Sequence, residues 1–420
     1  MNDALLPGRG FDAESLPSPE AGVATVLERW CPAELPVEEV PLARAVGRVL
    51  ARDARADAPV PSRPRSMMDG YAVRAADVAG ASAGHPARLA VVAEIRMGAA
   101  PPRALAAGEA MRIPTGGVLP EGSDAVVPQE DARGGADGAV EIVEGVASGE
   151  FVTRVGEDLA PGETVLPAGR RLRGVEMGLL ATLGWERVPV RARPVVGVLS
   201  TGDELVPAGS EPGVGQVRDS NRHVVGAVLE QMGARVEQLP HVGDRAQELE
   251  AALRDGLARC DAIVLTGGSS VGERDLTPAA IAALGEPGVV LHGIKVKPGK
   301  PTLFASVGGK LIIGLPGNPT SAVTILLAVA RPVIDALVGA TQPQPPPTTA
   351  RMEHQIRGRV GWTWYVPVSL HRVAAQTVAR PLQLRSSHVA LLARADGYVR
   401  IPPERGMAAA GELVEVHPLS

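Results

Sequence analysis

Aromatic side chains are scarce in this chain: 3 Phe, 3 Tyr and 4 Trp stand among 420 residues. Hydrophobic residues still make up 45 % of the sequence, so the cores must be aliphatic. Cysteine is rarer still. Cys31 and Cys260 lie too far apart to follow a metal-ligand spacing, which excludes the usual structural zinc motifs. A disulfide between them is not expected in a reducing compartment. Positive charge is not in excess: the formal net charge is −5, whereas nucleic-acid binders are usually basic. Long apolar runs are missing too. Val323–Ala330 is too short to cross a bilayer, and Arg331-Pro332 stops it. The first residues include Asp3, Arg9, Asp12 and Glu14 with no apolar segment, so no secretory signal is visible. These absences predict a cytoplasmic protein that meets neither nucleic acid nor membrane.

Glycine and proline, by contrast, number 49 and 38 and are spread along the whole chain. That composition predicts many turns, in a chain long enough for two to four domains. Residues 1–19 are polar and expected to be disordered. Helical spacing at 23–30 and 41–50, with a further helix at 173–183, assigns 20–54 and 157–194 to one helical/β domain. Between them, 55–156 is an inserted β-rich module with β segments at 88–94, 110–113, 125–128, 139–143 and 151–154. Residues 195–340 alternate strands (195–199, 234–239, 261–265, 311–315) with helices (220–232, 245–258, 277–284, 319–337). This pattern predicts a central three-layer α/β domain around a parallel sheet buried on both faces. Gln342–Pro347 reads as a stiff linker. The remainder, 348–420, is a small C-terminal β domain with β segments at 364–370, 397–401 and 412–417. The fold class is thus multidomain α/β and β.

Three glycine-rich turns end apolar runs of the α/β domain. They are Ser200-Thr201-Gly202-Asp203-Glu204, Thr266-Gly267-Gly268-Ser269-Ser270 with Glu273 and Asp275 close behind, and Leu315-Pro316-Gly317-Asn318 running to Ser321. In such sheets ligands bind outside the carboxyl ends of the strands, where these loops would cluster. Their backbone N–H groups suit a phosphorylated or oxyanionic ligand, and their carboxylates a divalent metal. Each turn alone could be an ordinary tight βα connection. Carboxylates beside a phosphate loop, however, require a compensating cation. Asp203 could simply cap a turn, whereas Glu204 has no such task. Asp219-Ser220-Asn221 is a helix N-cap signal, which makes Asn221 structural first. Lys297-Pro298-Gly299-Lys300-Pro301 holds two ammonium groups on a rigid turn, an arrangement more apt for anion binding than for a solvated face. Upstream, Ser66–Ala72 contains Asp69-Gly70, a turn signal on its own. The loop 113–127 offers Thr115 and Asp124 as polar candidates.

Taken in order, Ser66–Ala72, Pro114–Val127, Gly156–Asp158, Ser200–Leu205, Asp219–Asn221, Thr266–Asp275, Lys297–Pro301 and Leu315–Ser321 closely resemble the MoeA-type molybdopterin molybdenumtransferase family, which includes the gephyrin E domain. The resemblance covers about residues 20–420. It implies a four-domain subunit in an elongated homodimer, with the helical/β domain serving dimerisation. The reaction it implies takes adenylylated molybdopterin, molybdate and Mg²⁺ to molybdenum-loaded molybdopterin and AMP. By position in the family motifs, Asp69, Asp158, Glu204, Asp244 and Asp275 become catalytic candidates, with Glu204 and Asp275 as metal ligands. Thr115, Ser200, Thr201, Gly202, Asn221, Gly267, Gly268, Ser269, Ser270, Pro316, Gly317 and Asn318 become substrate-binding candidates. Lys297, Lys300, Pro301, Ser321, Arg359 and Ser386 are the molybdate candidates. Asp69 would reach the α/β site of the partner subunit across a shared cleft. Where the family shows an acidic–aromatic–basic stretch after Gly358-Arg359, this chain has Val360-Gly-Trp-Thr-Trp-Tyr365, and Gly117 replaces a common alanine.

Two other readings use the same α/β domain. A molybdopterin adenylyltransferase is typically single-domain and would lack Ser66–Ala72 and the 350–420 module. A gephyrin-like scaffold would bind a receptor peptide and leave the charged cleft dispensable. In the first reading, such an adenylyltransferase is instead the expected pathway partner.

Overall fold

The computed structural model describes residues 14–134, 137–267, 276–342, 346–382 and 389–419. Two compact units emerge. One takes the chain up to Arg52, Ala168–Gly178 and everything from Glu186 onward; the other takes Asp53–Pro167 and Leu179–Trp185.

The first unit is built on a six-stranded sheet. Its strands in chain order are β1 (Val195–Ser200), β2 (Arg235–Gln238), β3 (Ala262–Thr266), β4 (Pro287–His292), β5 (Leu303–Val307) and β6 (Lys310–Leu315). Across the sheet they run β2-β1-β3-β6-β5-β4. The first four of these are mutually parallel, while β5 and β4 are antiparallel to their neighbours. The sheet is therefore mixed rather than all-parallel. The departure comes from the β5–β6 hairpin, whose Gly308-Gly309 turn has φ of +56° and +80°. Two central residues at positive φ are what a tight hairpin needs.

Alternate residues of each strand feed opposite faces, which is why these segments read as continuous apolar runs. Val196, Val198, Val264 and Ile313 pack with α2 (Asn221–Gln231), α5 (Pro319–Ala328) and α6 (Arg331–Val338). On the other face, Leu199, Ile263, Leu265 and Ile312 pack with α3 (Ala246–Arg259) and α4 (Thr277–Ala282). The expected helix 319–337 is broken, with 58° between α5 and α6. Pro332 stands in the first turn of α6 and cannot donate the N–H that would continue α5. Among the described residues no single helix is long and apolar enough to cross a membrane.

Helix α1 (Pro19–Arg29) adds Val23, Val26 and Trp30 to the first of these cores. The Trp30 indole N–H donates to the Gly309 carbonyl at 2.9 Å. Residues just before α1 are ordered, contrary to expectation: Leu16 is buried, and the Pro17 carbonyl accepts the Lys295 N–H at 2.8 Å. The anticipated helix at 41–50 is also absent. Val37–Pro41 pairs instead with Arg187–Arg191, and Leu42–Arg44 is a single 3₁₀ turn. Beyond it the N–H groups of Gly47 and Leu50 go to the carbonyls of Leu172 and Arg170. Tertiary partners have overridden a helical spacing.

Five C-terminal strands close a ring. Thr363–Val373 pairs with both Gln376–Pro381 and Gly397–Ile401, and Thr348–Met352 and Leu413–Pro418 complete the circuit. Ala350, Val366, Val368 and Val399 fill it. Outside the ring, Arg400 pairs with Glu20 of α1.

The second unit is also sheet-based, in the order Ala125–Pro128, Gly70–Val73, Glu109–Ile113, Ala87–Glu94, Ala139–Ile142 and Ala132–Gly134. Tyr71, Val73, Leu89 and Val127 build one of its cores, and Ala72, Met111, Ile113 and Val126 the other.

Candidate active site

Strand order reverses between β1 and β3, because the chain leaves β1 toward β2 and then crosses back past it. Open α/β sheets bind ligands at such a switch point. Ser200 and Thr266, the last residues of the two strands, are opposite one another, and the Thr201 N–H donates to the Thr266 carbonyl at 2.9 Å. Gly267 follows at φ +92°, and a Cβ there would stand 2.3 Å from the Thr201 carbonyl oxygen. Only glycine fits. The loop after β6 closes in from the third side, since a Cβ on Gly317 would touch the Gly267 Cα at 3.5 Å. Asn221 ties in the start of α2 by donating from Nδ2 to the Gly317 carbonyl at 2.7 Å.

This convergence leaves polar atoms stranded. Ser200 Oγ, Thr266 Oγ1, Asn221 Oδ1 and Asp219 Oδ2 are buried with no hydrogen-bond partner among the described residues. None of the four residues is more than 8 % exposed. An unpaired buried polar atom costs about 1–3 kcal/mol. Asp219 Oδ2 has Arg222 Nε at 3.8 Å in an ion pair, so three atoms around one switch point stay unpaired and suit a ligand that brings polar groups to meet them. The capping role belongs to Asp219, whose Oδ1 accepts the Arg222 N–H at 3.2 Å.

Beside the strand ends lies an acidic loop pair. The Glu204 carboxylate folds back over Gly202, where a Cβ would meet its Oε2 at 2.4 Å. Asp203 Oδ1 accepts the Asp244 N–H at 3.2 Å, and His241 Nε2 donates to the Gly202 carbonyl at 2.8 Å. Glu204 and Asp244 are both exposed. Among the described residues, no three His, Cys, Asp or Glu side chains are grouped to hold a metal.

The lysine loop is held from two directions. Val296–Lys297 pairs in parallel with Thr363–Trp364 of the C-terminal ring. Gly299, at φ +105°, lies so close to α5 that a Cβ would be 2.2 Å from Ile325. The Thr302 hydroxyl donates to the Gly299 carbonyl at 2.7 Å. Lys297 is exposed, Lys300 and Pro301 are half-buried, and Ser321 is buried in the first turn of α5. Pro316 is buried and Asn318 exposed, the Asn318 carbonyl accepting the first bond of α5 from the Ala322 N–H. In the divergent segment, the exposed Arg359 guanidinium sits 5.7 Å from the ring centroid of Trp362.

Asp69, Thr115 and Asp158 belong to the second unit. The Thr115 N–H donates to Asp69 Oδ1 at 2.6 Å and holds that carboxyl below its ordinary range. Ser66, buried, fixes the turn: its Oγ accepts the Met68 N–H and donates to the Met68 carbonyl. Asp124 is structural, accepting the Ala75 N–H at 2.7 Å. Asp158 is exposed, with its N–H on the Val60 carbonyl, and does not line the pocket that holds Asp69. Gly268, Ser269, Ser270, Asp275 and Ser386, and Glu273 with them, lie outside the described residues. Sequence reasoning overlooked Ser66, His241 and the Gln129-Glu130 pair. A hydroxyl two residues before a turn was the available signal for Ser66, whereas His241 had none.

Comparison with known proteins now decides the family. Residues 18–184 match the MoeA N-terminal region (domain I and II), 197–336 a probable molybdopterin binding domain, and 349–419 the MoeA C-terminal region (domain IV). The chain belongs to the MoeA family. The molybdopterin molybdenumtransferase of Haemophilus influenzae is 33 % identical to this MoeA-family chain over 391 residues, covering 91 % of it and 94 % of the relative. That of Bacillus subtilis is 32 % identical over 383 residues, covering 90 % and 89 %. A solved structure of the molybdopterin biosynthesis MoeA protein from Pyrococcus horikoshii OT3 gives a TM-score of 0.84 at 26 % identity, covering 96 % of this chain and all of that one. The switch point, the acidic loops and the lysine loop of the MoeA-family chain all fall inside the segment matched as molybdopterin-binding.

Proposed function

We propose that this chain inserts molybdenum during molybdenum cofactor biosynthesis, converting adenylylated molybdopterin and molybdate to molybdenum-loaded molybdopterin and AMP. The observation that carries the reading is the set of three stranded polar atoms, Ser200 Oγ, Thr266 Oγ1 and Asn221 Oδ1, at the β1–β3 switch point, inside a MoeA-family chain. A small molecule with several polar groups would satisfy them. The alternative of a single-domain adenylyltransferase does not suit a chain that also matches both MoeA-specific regions.

Lys297, Lys300 and the Ser321 hydroxyl supply charge and hydrogen bonds for molybdate, a tetrahedral dianion, and Arg359 adds a guanidinium steadied by Trp362. Mg²⁺ commonly uses one or two carboxylates together with substrate phosphates. Glu204 fits that pattern, with Asp244 on the adjacent loop. When bound there, the ion would neutralise charge on the pyrophosphate link. We further propose that the chain acts in the cytoplasm as a homodimer, with the Asp69–Thr115 turn of one copy facing the α/β site of the other. An adenylyl-transfer enzyme must supply the activated substrate.

The test is AMP release from adenylylated molybdopterin with Mg²⁺, with and without molybdate. Wild type should release AMP in a molybdate-dependent way, and Glu204→Gln should be slower by roughly a hundredfold. No release from folded wild type would overturn the reading.

A further inference from the structure

The sheet of the second unit curls on itself. Its edge strands, Ala125–Pro128 and Ala132–Gly134, are joined only by the turn Gln129–Asp131. The Gln129 N–H pins the start of that turn by donating to the Asp69 carbonyl at 2.9 Å. A flat six-stranded sheet would hold its edges about 24 Å apart. Pro128 and Ala132 can be separated by about 14 Å at most. The edges are therefore drawn together around the core of Tyr71, Val73, Leu89 and Val127. The short helix Ala75–Val78, directly after strand Gly70–Val73, lays Ala75 and Val78 on that core at one end. The opposite end is a mouth.

Register decides what stands there. Tyr71 is opposite Arg112 on the neighbouring strand, and Arg112 is opposite Glu94 on the next. Between Val91 and Ala93 the ladder slips by one residue, which makes a β-bulge at Val92. Without it, Val91 and Glu94 would face opposite sides of the sheet, because side chains alternate along a strand. With it, Val91 lies opposite Ala110 and Glu94 opposite Arg112, so both join the inner face. Bulges re-aim side chains in this way beside functional sites. Tyr71, Glu94 and Arg112 line an open pocket of about 410 Å³ together with Val91, Val92 and Ala93. The mouths of β-barrels are common ligand sites.

The two charges in this pocket are opposite and not joined to each other. The Arg112 guanidinium lies 5.9 Å from the Tyr71 ring centroid, and its Nη2 donates to the Tyr71 hydroxyl at 3.5 Å. Glu94 is near enough for its charge to act on Arg112, yet among the described residues it forms no hydrogen bond or contact ion pair. Neighbouring strands stand about 4.8 Å apart, a span that one small molecule carrying both charges can bridge. A guanidinium matches a carboxylate with two parallel N–H groups, and a carboxylate accepts from an ammonium. An α-amino acid presents both groups from a single carbon. Val91, Val92 and Ala93 offer its side chain an apolar wall. We infer that this mouth binds a free apolar α-amino acid, with the ligand carboxylate on Arg112 and the ligand ammonium on Glu94. The inference is independent of the proposed reaction, because it uses none of the residues assigned to it.

Equilibrium binding of L-leucine to the full-length protein tests it, with N-acetyl-L-leucine and L-leucinamide as probes that each lack one charge. Wild type should bind L-leucine saturably and each analogue about tenfold more weakly. Arg112→Gln should weaken L-leucine about tenfold and leave L-leucinamide unchanged. Glu94→Gln should weaken L-leucine by a similar factor and leave N-acetyl-L-leucine unchanged. Both side chains are exposed, so the variants keep the fold. The comparison of the three ligands on wild type needs no variant at all. No saturable binding of L-leucine, equal affinity for all three ligands, or variants that bind L-leucine as wild type does would each overturn the site.

Discussion

Replacing Gly267 with alanine should damage both stability and turnover, by an amount that follows from its surroundings. At φ +92° an L-residue is strained, by about 1–2 kcal/mol. The new Cβ would also lie 2.3 Å from the Thr201 carbonyl oxygen and 2.8 Å from Thr201 Oγ1. Main chain cannot swing aside as a side chain can, so the two loops must separate. Separation breaks the 2.9 Å bond from the Thr201 N–H to the Thr266 carbonyl, a further loss of about 1 kcal/mol. The sum is about 2–3 kcal/mol, confined to the switch point. Gly308→Ala is the matched control, because Gly308 also has positive φ but a Cβ there meets nothing within 4 Å. Urea denaturation should show Gly267→Ala less stable than Gly308→Ala by about 1 kcal/mol, the share of the lost bond, since the strain of positive φ is common to both. AMP release should fall at least about tenfold in Gly267→Ala alone, since a loop opened by that energy no longer holds Ser200 and Thr266 opposite each other. If the two variants behave alike in both assays, the close approach of the loops is not what the site depends on.

Other perturbations follow from single contacts. Asn221→Asp should lower activity more than Asn221→Ala, because a carboxylate oxygen facing the Gly317 carbonyl repels where the amide donated; steady-state kinetics of both variants decide it. For Glu176, burial works to raise the carboxyl pKa, but hydrogen bonds from Arg173 and Arg170 outweigh it and bring it down to about 2. A depressed folded-state pKa contributes stability above pH ~4.5 that is lost as pH falls through about 2. Glu176→Gln should therefore cost on the order of 3 kcal/mol at pH 7 and progressively less in acid, as stability measured against pH would show. Lys310 donates to the carbonyls of Leu257 and Cys260 at the end of α3, so Lys310→Met should destabilise by about 1–3 kcal/mol in a denaturant titration without changing KM.

The parts of this protein legible in its sequence are those where one short stretch carries both the turn and its consequence. Thr266-Gly267 and Leu315–Asn318 announce sharp turns at the ends of apolar runs, and the structure brings them into contact. The pairing that placed Gln129 and Glu130 beside Asp69 left no such trace, because two other strands of the sheet lie between 70–73 and 125–128 in the chain. Register of that kind is a property of two distant segments and is written in neither. The mistaken helix at 41–50 shows the converse. Its apolar spacing was genuine, and Ala45, Val49 and Leu50 are buried, but Gly47 at φ +79° and the waiting carbonyls of 170–172 drew the chain into pairing. The Gly308-Gly309 hairpin signal was present and went unused.

The partners of helix α1 bear on how the molecule comes into being. Trp30 reaches Gly309, 279 positions downstream, and Glu20 reaches Arg400, 380 positions downstream. A ribosome delivers these contacts last. The first unit therefore stays incomplete until the final strands have emerged, and the apolar side of α1 is uncovered until β4 and α6 are made. Residues 53–167 form nearly all of the second unit as one continuous stretch, and they need nothing from the far end of the chain to close their sheet. Synthesis thus produces a finished inserted module while its host is still open, and that interval is when the nascent chain most needs a chaperone.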